Sequence, residues 1–168
     1  VIISLLTAWV VLVLYFVHIP VYSYDQLGAD QLNALSRIFK LAVLYGGFAF
    51  IISLIREVVK DMEDMPGDAR YGCRTMPIVW GMQVSRVFIA TWVVVLIASI
   101  LIILVYVLPY KWWWPSIYCT LLILIPLGLL LQRLFKARSP ADFHRLSSMI
   151  KAIMLTGILS ILFFNLYA

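Results

Sequence analysis

Five stretches of this chain carry no charged side chain: 1–24, 41–55, 87–110, 112–132 and 152–168. A helix needs about 20 apolar residues to cross the hydrocarbon of a bilayer, so runs of this length leave little choice but a bundle of membrane helices. Composition agrees, at 64% hydrophobic and 12% charged, against roughly 45–50% and 25% in soluble domains. The expected fold class is an all-α integral membrane protein with five transmembrane helices, at about 1–19, 38–62, 84–108, 115–133 and 149–167. The net charge of +5 does not point to nucleic acid, because the cations fall in short connections and not on one basic face. Anionic lipid headgroups and phosphorylated substrates are the expected partners. Cys73 and Cys119 have neither zinc-ligand spacing nor a disulfide framework, and read as packing residues.

The sequence opens on Val1 inside an apolar run, with no initiator Met and no basic n-region, which leads us to expect an internal piece of a longer chain. Pro20 ends the first segment, and Tyr22 and Tyr24 follow as interfacial aromatics. Residues 25–37 read as a polar loop. Pro66, Gly67, Gly72, Pro77 and Gly81 crowd 65–83 with helix breakers, which predicts a loop folded over a site. Pro109, Lys111, Trp112, Trp113 and Trp114 form an interfacial turn, and Pro126 predicts a kink, tolerable in a bundle because neighbouring polar groups or water can satisfy the freed carbonyl. Residues 133–148 form a second charged connection. Ten Lys and Arg residues lie near the helix ends on the side of 57–83 and 133–148, against Arg37, Lys40 and Lys111 on the other, so both loops are expected in the cytoplasm.

The chemistry concentrates at the end of the second segment. Five of the eight acids, Glu57, Asp61, Glu63, Asp64 and Asp68, fall within twelve positions. On a helix continued to Asp64, Glu57, Asp61 and Asp64 share one face, whereas Glu63 is expected to face away and to tolerate Gln. Met65 precedes a proline and is biased away from helix, which puts Asp68 just beyond, on the turn. Close carboxylates repel unless a cation stands between them, and Mg²⁺ takes hard oxygen ligands while sharing itself with phosphate. Lys60, Arg70 and Arg74 supply cations for an anionic group beside those acids. Acids for a metal and bases for a phosphate describe a metal-diphosphate site. His18 and His144 have no partner at ligand spacing and read as structural.

The string from Arg56 to Pro77, and within it K-D-x-x-D-x-x-G-D-x-x-x-G-x-x-T-x-P from Lys60, closely resembles the second Asp-rich motif of the UbiA superfamily of intramembrane prenyltransferases. The stretch Phe143 to Gly157 also resembles the start of that family's last helix. The resemblance implies that these five segments are helices five to nine of a nine-helix bundle. It implies that a first Asp-rich motif and four helices belong to the N-terminal half of the same protein, absent from 1–168, so that this chain alone is incomplete. It implies Mg²⁺ as cofactor, held by Asp64 and Asp68 with Asp61 assisting. Lys60, Arg70, Arg74 and Arg56 become candidates for binding a polyprenyl diphosphate, and Tyr71 a candidate to line its pocket. The implied reaction moves an isoprenyl group to a lipid-soluble acceptor, a glyceryl-lipid phosphate or a quinone precursor. A non-catalytic membrane subunit or transporter half is the main alternative. A CDP-alcohol phosphotransferase is weaker, because its own acidic string is absent.

Overall fold

The computed structural model describes residues 5, 6, 9, 10, 13, 29–107, 109 and 113–162. In chain order these hold α1 (Ala29–Arg70), the short α2 (Met76–Val79), α3 (Met82–Val107), α4 (Trp113–Cys119), a π turn (Thr120–Leu124), α5 (Ile125–Lys136) and α6 (Pro140–Leu159). No strand occurs among the described residues. Three helical stretches there are long and apolar enough to cross a membrane, Phe39–Arg70, Met82–Val107 and Trp113–Lys136. Of the five expected spans, the first lies mostly outside the described residues, as do Pro20, Tyr22, Tyr24, His18, Lys111 and Trp112. The fifth is represented by α6, which carries Asp142, Arg145 and Lys151 within its first twelve residues; 163–168 lie outside.

The chain divides into two compact units, 1–54 and 55–168. In the first, 29–54 is helical and the described residues Leu5, Leu6, Trp9, Val10 and Val13 are exposed. The polar stretch 25–37, expected as a loop, is helical from Ala29 onward. The second unit has a continuous apolar core built from Val59 and Met62 of α1, Ile89, Val93 and Leu96 of α3, Leu127, Leu130 and Leu134 of α5, and Phe143, Leu146, Ile150 and Ile153 of α6. The spacing of 3, 4 or 7 within each group places it on one helical stripe. Beyond Arg86 the outer faces of α3 are mostly apolar too, with Val87, Val94, Ile102 and Val105 exposed. A helical stretch apolar on nearly every side suits a lipid surrounding.

Two breakers act where the sequence placed them, by different devices. Pro126 lacks an N–H, so the Leu122 carbonyl four residues earlier loses its helical donor. The chain widens there into the π turn, closed by the Ile125 N–H to the Thr120 carbonyl, and Thr156 of α6 donates its hydroxyl to the Leu122 carbonyl at 3.1 Å. The Tyr118 hydroxyl in turn donates to the Thr156 carbonyl at 2.8 Å. Gly72 ends α1 at φ 69°. Its N–H donates to the Ala69 carbonyl and that of Cys73 to the Asp68 carbonyl at 3.0 Å, the paired bonds of a Schellman cap. A Cβ at Gly72 meets nothing within 4 Å, so substitution is costly through the backbone alone. Gly72→Ala should destabilise the protein by about 1–2 kcal/mol, read as a lowered unfolding midpoint in detergent.

Candidate functional site

Helix α1 passes through Pro66 and stops only at Arg70, which corrects the expected loop over 65–83. Proline in a helix removes one hydrogen bond, here the one to the Met62 carbonyl. Met62 is 1% exposed, and its packing, with the glycine cap six residues beyond Pro66, holds the turn helical against the pre-proline bias of Met65. Only 71–75 remains as loop before α2. Asp68 therefore rides the helix four residues after Asp64 and is not on a turn.

With 100° per residue, Glu57, Asp61, Asp64 and Asp68 fall within roughly 60° of one another. This acidic face lies about 140° round the helix from the buried Val58, Val59 and Met62. The carboxylates thus stay off the apolar core and keep contact with solvent. Asp64 is exposed, while Asp61 and Asp68 are intermediate. An open hollow of about 490 Å³ beside them is bounded by Glu63, Asp64, Pro66, Gly67, Asp68, Tyr71 and Pro140. Asp64, Asp68 and Tyr71 thus meet at one hollow; Asp61 is on the same helical face but outside its lining. Arg56, Arg70 and Arg74 are exposed and outside the lining of the hollow, Arg70 and Arg74 at the end of α1 and Arg56 about four turns earlier, and Tyr71 is 89% exposed. The Lys60 ammonium sits 3.3 Å from Asp64 Oδ1 and 3.2 Å from Glu63 Oε1.

Glu63 does not face away. Its side chain is 14% exposed, and His144 Nδ1 lies 2.8 Å from its Oε1. A carboxylate only accepts, so Nδ1 carries the proton and donates. Its other oxygen, Oε2, is buried without a hydrogen-bond partner. His144, which the sequence offered no partner, thus joins α6 to the acidic end of α1. The two side chains are 81 positions apart, and no local pattern announces their meeting.

The second charged connection is also shorter than expected. Helix α5 runs to Lys136 and α6 starts at Pro140, leaving three residues between them. The reason is a capping box: Ser139 Oγ accepts from the Asp142 N–H at 3.3 Å, and Asp142 Oδ2 accepts from the Ser139 N–H at 3.0 Å, with Pro140 at a favoured first-turn position. Arg86 of α3 donates Nη2 to the Ala137 carbonyl, which ties this turn to the start of α3. Both charged connections therefore gather at one end of the second unit.

Hydrogen bonds from the Arg138 and Ser139 backbone and from the Ser139 hydroxyl hold the Asp142 carboxyl below its ordinary range. A lowered folded pKa gives stability that is present above the unfolded value of about 3.9 and lost as pH falls through the folded one. Ser139→Ala should cost about 1 kcal/mol at neutral pH. Its deficit against wild type should shrink below about pH 4, once Asp142 is protonated in both; unfolding midpoints across pH check this.

Among the described residues no three His, Cys, Asp or Glu side chains converge on one metal position. What is present is a partial donor set: two hard carboxylates four residues apart, lining an open hollow. That chemistry matches part of the coordination of Mg²⁺, which keeps several waters and takes one or two carboxylates.

A family model described as the UbiA prenyltransferase family matches residues 1–156. Digeranylgeranylglyceryl phosphate synthase of Methanothermobacter thermautotrophicus is 44% identical over 61 residues, covering 36% of this chain and 21% of that protein. The protein of the same name from Thermococcus sibiricus is 43% identical over 54 residues, covering 32% and 19%. That from Korarchaeum cryptofilum is 30% identical over 124 residues, covering 71% and 42%. The matched stretches thus span less than half the length of these relatives. No solved structure matches the chain.

Proposed function

The chain belongs to the UbiA prenyltransferase family, and on that premise we propose that its acidic helix end is part of the active site of a membrane-embedded, Mg²⁺-dependent prenyltransferase. The donor is a polyprenyl diphosphate and the acceptor a glyceryl phosphate lipid. The observation that carries this reading is the single acidic face of α1, opening on a hollow at the end of the bundle where both charged connections meet. The acceptor class rests on the name the relatives share.

Asp64 and Asp68 would hold Mg²⁺, with Asp61 adding negative charge from the same face. When bound, Mg²⁺ supplies positive charge to a departing diphosphate. The chain's own cations share that task. Arg70 closes α1 and Arg74 follows in the loop beyond it, while Arg56 lies about four turns earlier on the helix, and guanidinium forks pair well with phosphate oxygens. Lys60 stands among the acids, where its ammonium limits their mutual repulsion. The allylic C–O bond breaks with its electron pair leaving on pyrophosphate. The acceptor hydroxyl oxygen forms the new C–O bond and gives up its proton to the departing pyrophosphate. Tyr71 borders the hollow as a cover for the reacting carbon, and the apolar helices hold the isoprenoid tail away from water.

The test is Mg²⁺-dependent release of pyrophosphate by the whole protein, given an allylic diphosphate together with a glyceryl phosphate lipid. Release that ignores Mg²⁺, or that never needs the acceptor, overturns the reading. We further propose that both charged connections face the cytoplasm, from the ten-to-three asymmetry of basic residues. Single cysteines in 71–75 and 137–139, placed in a variant lacking Cys73 and Cys119, should label together from the cytoplasmic side and resist reagent from outside.

A further inference from the structure

Asp64 does not face water alone. Lys60 bridges it to Glu63, at 3.3 Å and 3.2 Å, and Glu63 is tied through the same oxygen, Oε1, to His144 at 2.8 Å. These four side chains differ sharply in freedom. Glu63 is 14% exposed, against 48% for Lys60, 50% for Asp64 and 66% for His144. Glu63 is thus the most enclosed member of the relay, bonded to α6 through His144, and Lys60 with its flexible four-carbon stem is the part able to move.

We propose that Glu63 and His144 are positioning residues, which act by giving the Lys60 ammonium a second carboxylate to rest on when Asp64 takes up a divalent cation. The proposal rests on the reading that Asp64 holds the metal. The physics is a competition. An ammonium and a divalent ion cannot share Asp64 without repulsion, so Lys60 must withdraw as the ion arrives. With Glu63 anchored beside it, withdrawal replaces one ion pair by another, and the ammonium remains within reach of an anion bound at the hollow. Without Glu63, Lys60 has Asp64 as its only partner in this relay, and the incoming metal has to break that pair outright. His144 contributes by holding Glu63 in place; it touches neither Lys60 nor Asp64 in this arrangement.

Glu63 is therefore expected to act on metal binding only through Lys60, which sets this role apart from general electrostatics. A charge effect or a folding defect would persist whatever occupies position 60. The experiment titrates Mn²⁺ into the whole protein in micelles, without substrate, and reads bound ion by electron paramagnetic resonance. The portion of binding lost in Asp64→Asn marks the ion at this site. Glu63→Gln should weaken that ion roughly three- to tenfold, the scale of a partly exposed ion pair. The loss should vanish when Glu63→Gln is made in a Lys60→Gln background. His144→Ala should weaken it in the same direction, and His144→Asn, whose amide nitrogen replaces Nδ1, should restore it. In turnover assays, Glu63→Gln should raise the Mg²⁺ concentration for half-maximal rate while leaving the rate at saturation near wild type.

Two failures are distinguishable. If Asp64→Asn binds Mn²⁺ as wild type does, the metal reading of Asp64 falls, and the positioning role with it. If Asp64→Asn loses the ion but the Glu63→Gln defect is absent, or survives unchanged with Lys60→Gln, only the positioning role is overturned. Matched melting curves for the variants exclude a collapsed helix end.

Discussion

Asp64→Asn and Asp68→Asn should each lower prenyl transfer by more than about 100-fold, the scale seen when one transition-state contact is removed, while the protein stays folded. Asn keeps the size of the side chain and part of its hydrogen bonding but removes an anionic ligand. Neither carboxylate belongs to the apolar core: the acidic face points about 140° away from Val58, Val59 and Met62, so the core packing survives. Asp61→Asn should cost less, because Asp61 lies outside the lining of the hollow. The measurement is turnover at saturating Mg²⁺ for the three variants in the whole protein, with thermal melting alongside. Near-normal turnover in both Asp64→Asn and Asp68→Asn would show that these acids merely solvate a helix end. Glu63→Gln is a neutral control only at saturating Mg²⁺, since Glu63 is bonded to His144 and ion-paired with Lys60 and is expected to shift the Mg²⁺ requirement.

The second large effect is on stability. Phe143 is 1% exposed at the start of α6, next to the residue that reaches Glu63. Phe143→Ala should cost about 3–5 kcal/mol, from lost burial and the cavity left behind. Phe135, 52% exposed on α5, is the matched comparison, and Phe135→Ala should stay within about 0.5 kcal/mol. Denaturant midpoints in one detergent settle the difference. Equal losses for the two phenylalanines would place the packed interface elsewhere than on the Phe143 face.

The apolar spans were legible because a membrane helix announces itself by length and lack of charge, and α3 falls within two residues of its expected bounds. The polar connections were harder. Around Pro66 the local signals favoured a loop, but the buried Met62 and the glycine cap at 72 keep the helix going, and both act through neighbours that a reading of local preference does not weigh. The start of α6 was written in the sequence as Ser139, Pro140 and Asp142, a capping box, and passed for a charged connection because its first turns are polar. The acidic face itself was legible from spacing. The place of Glu63 was not, for it depends on His144, 81 positions away.

Two of the ties on helix α6 lie far apart along it, His144 on Glu63 and Thr156 on the Leu122 carbonyl. Twelve residues separate them, about 18 Å along the axis and about 120° around it. One pin alone lets a rod swing about the pin; two pins at different depths and bearings stop both swinging and screwing. Advancing α6 by four residues would bring Ala152 to where Thr156 stands, leaving the Leu122 carbonyl bare in hydrocarbon at a cost of several kcal/mol. The helix is thereby calibrated in depth, so that the end bearing His144 arrives level with the carboxylates at every assembly of the bundle.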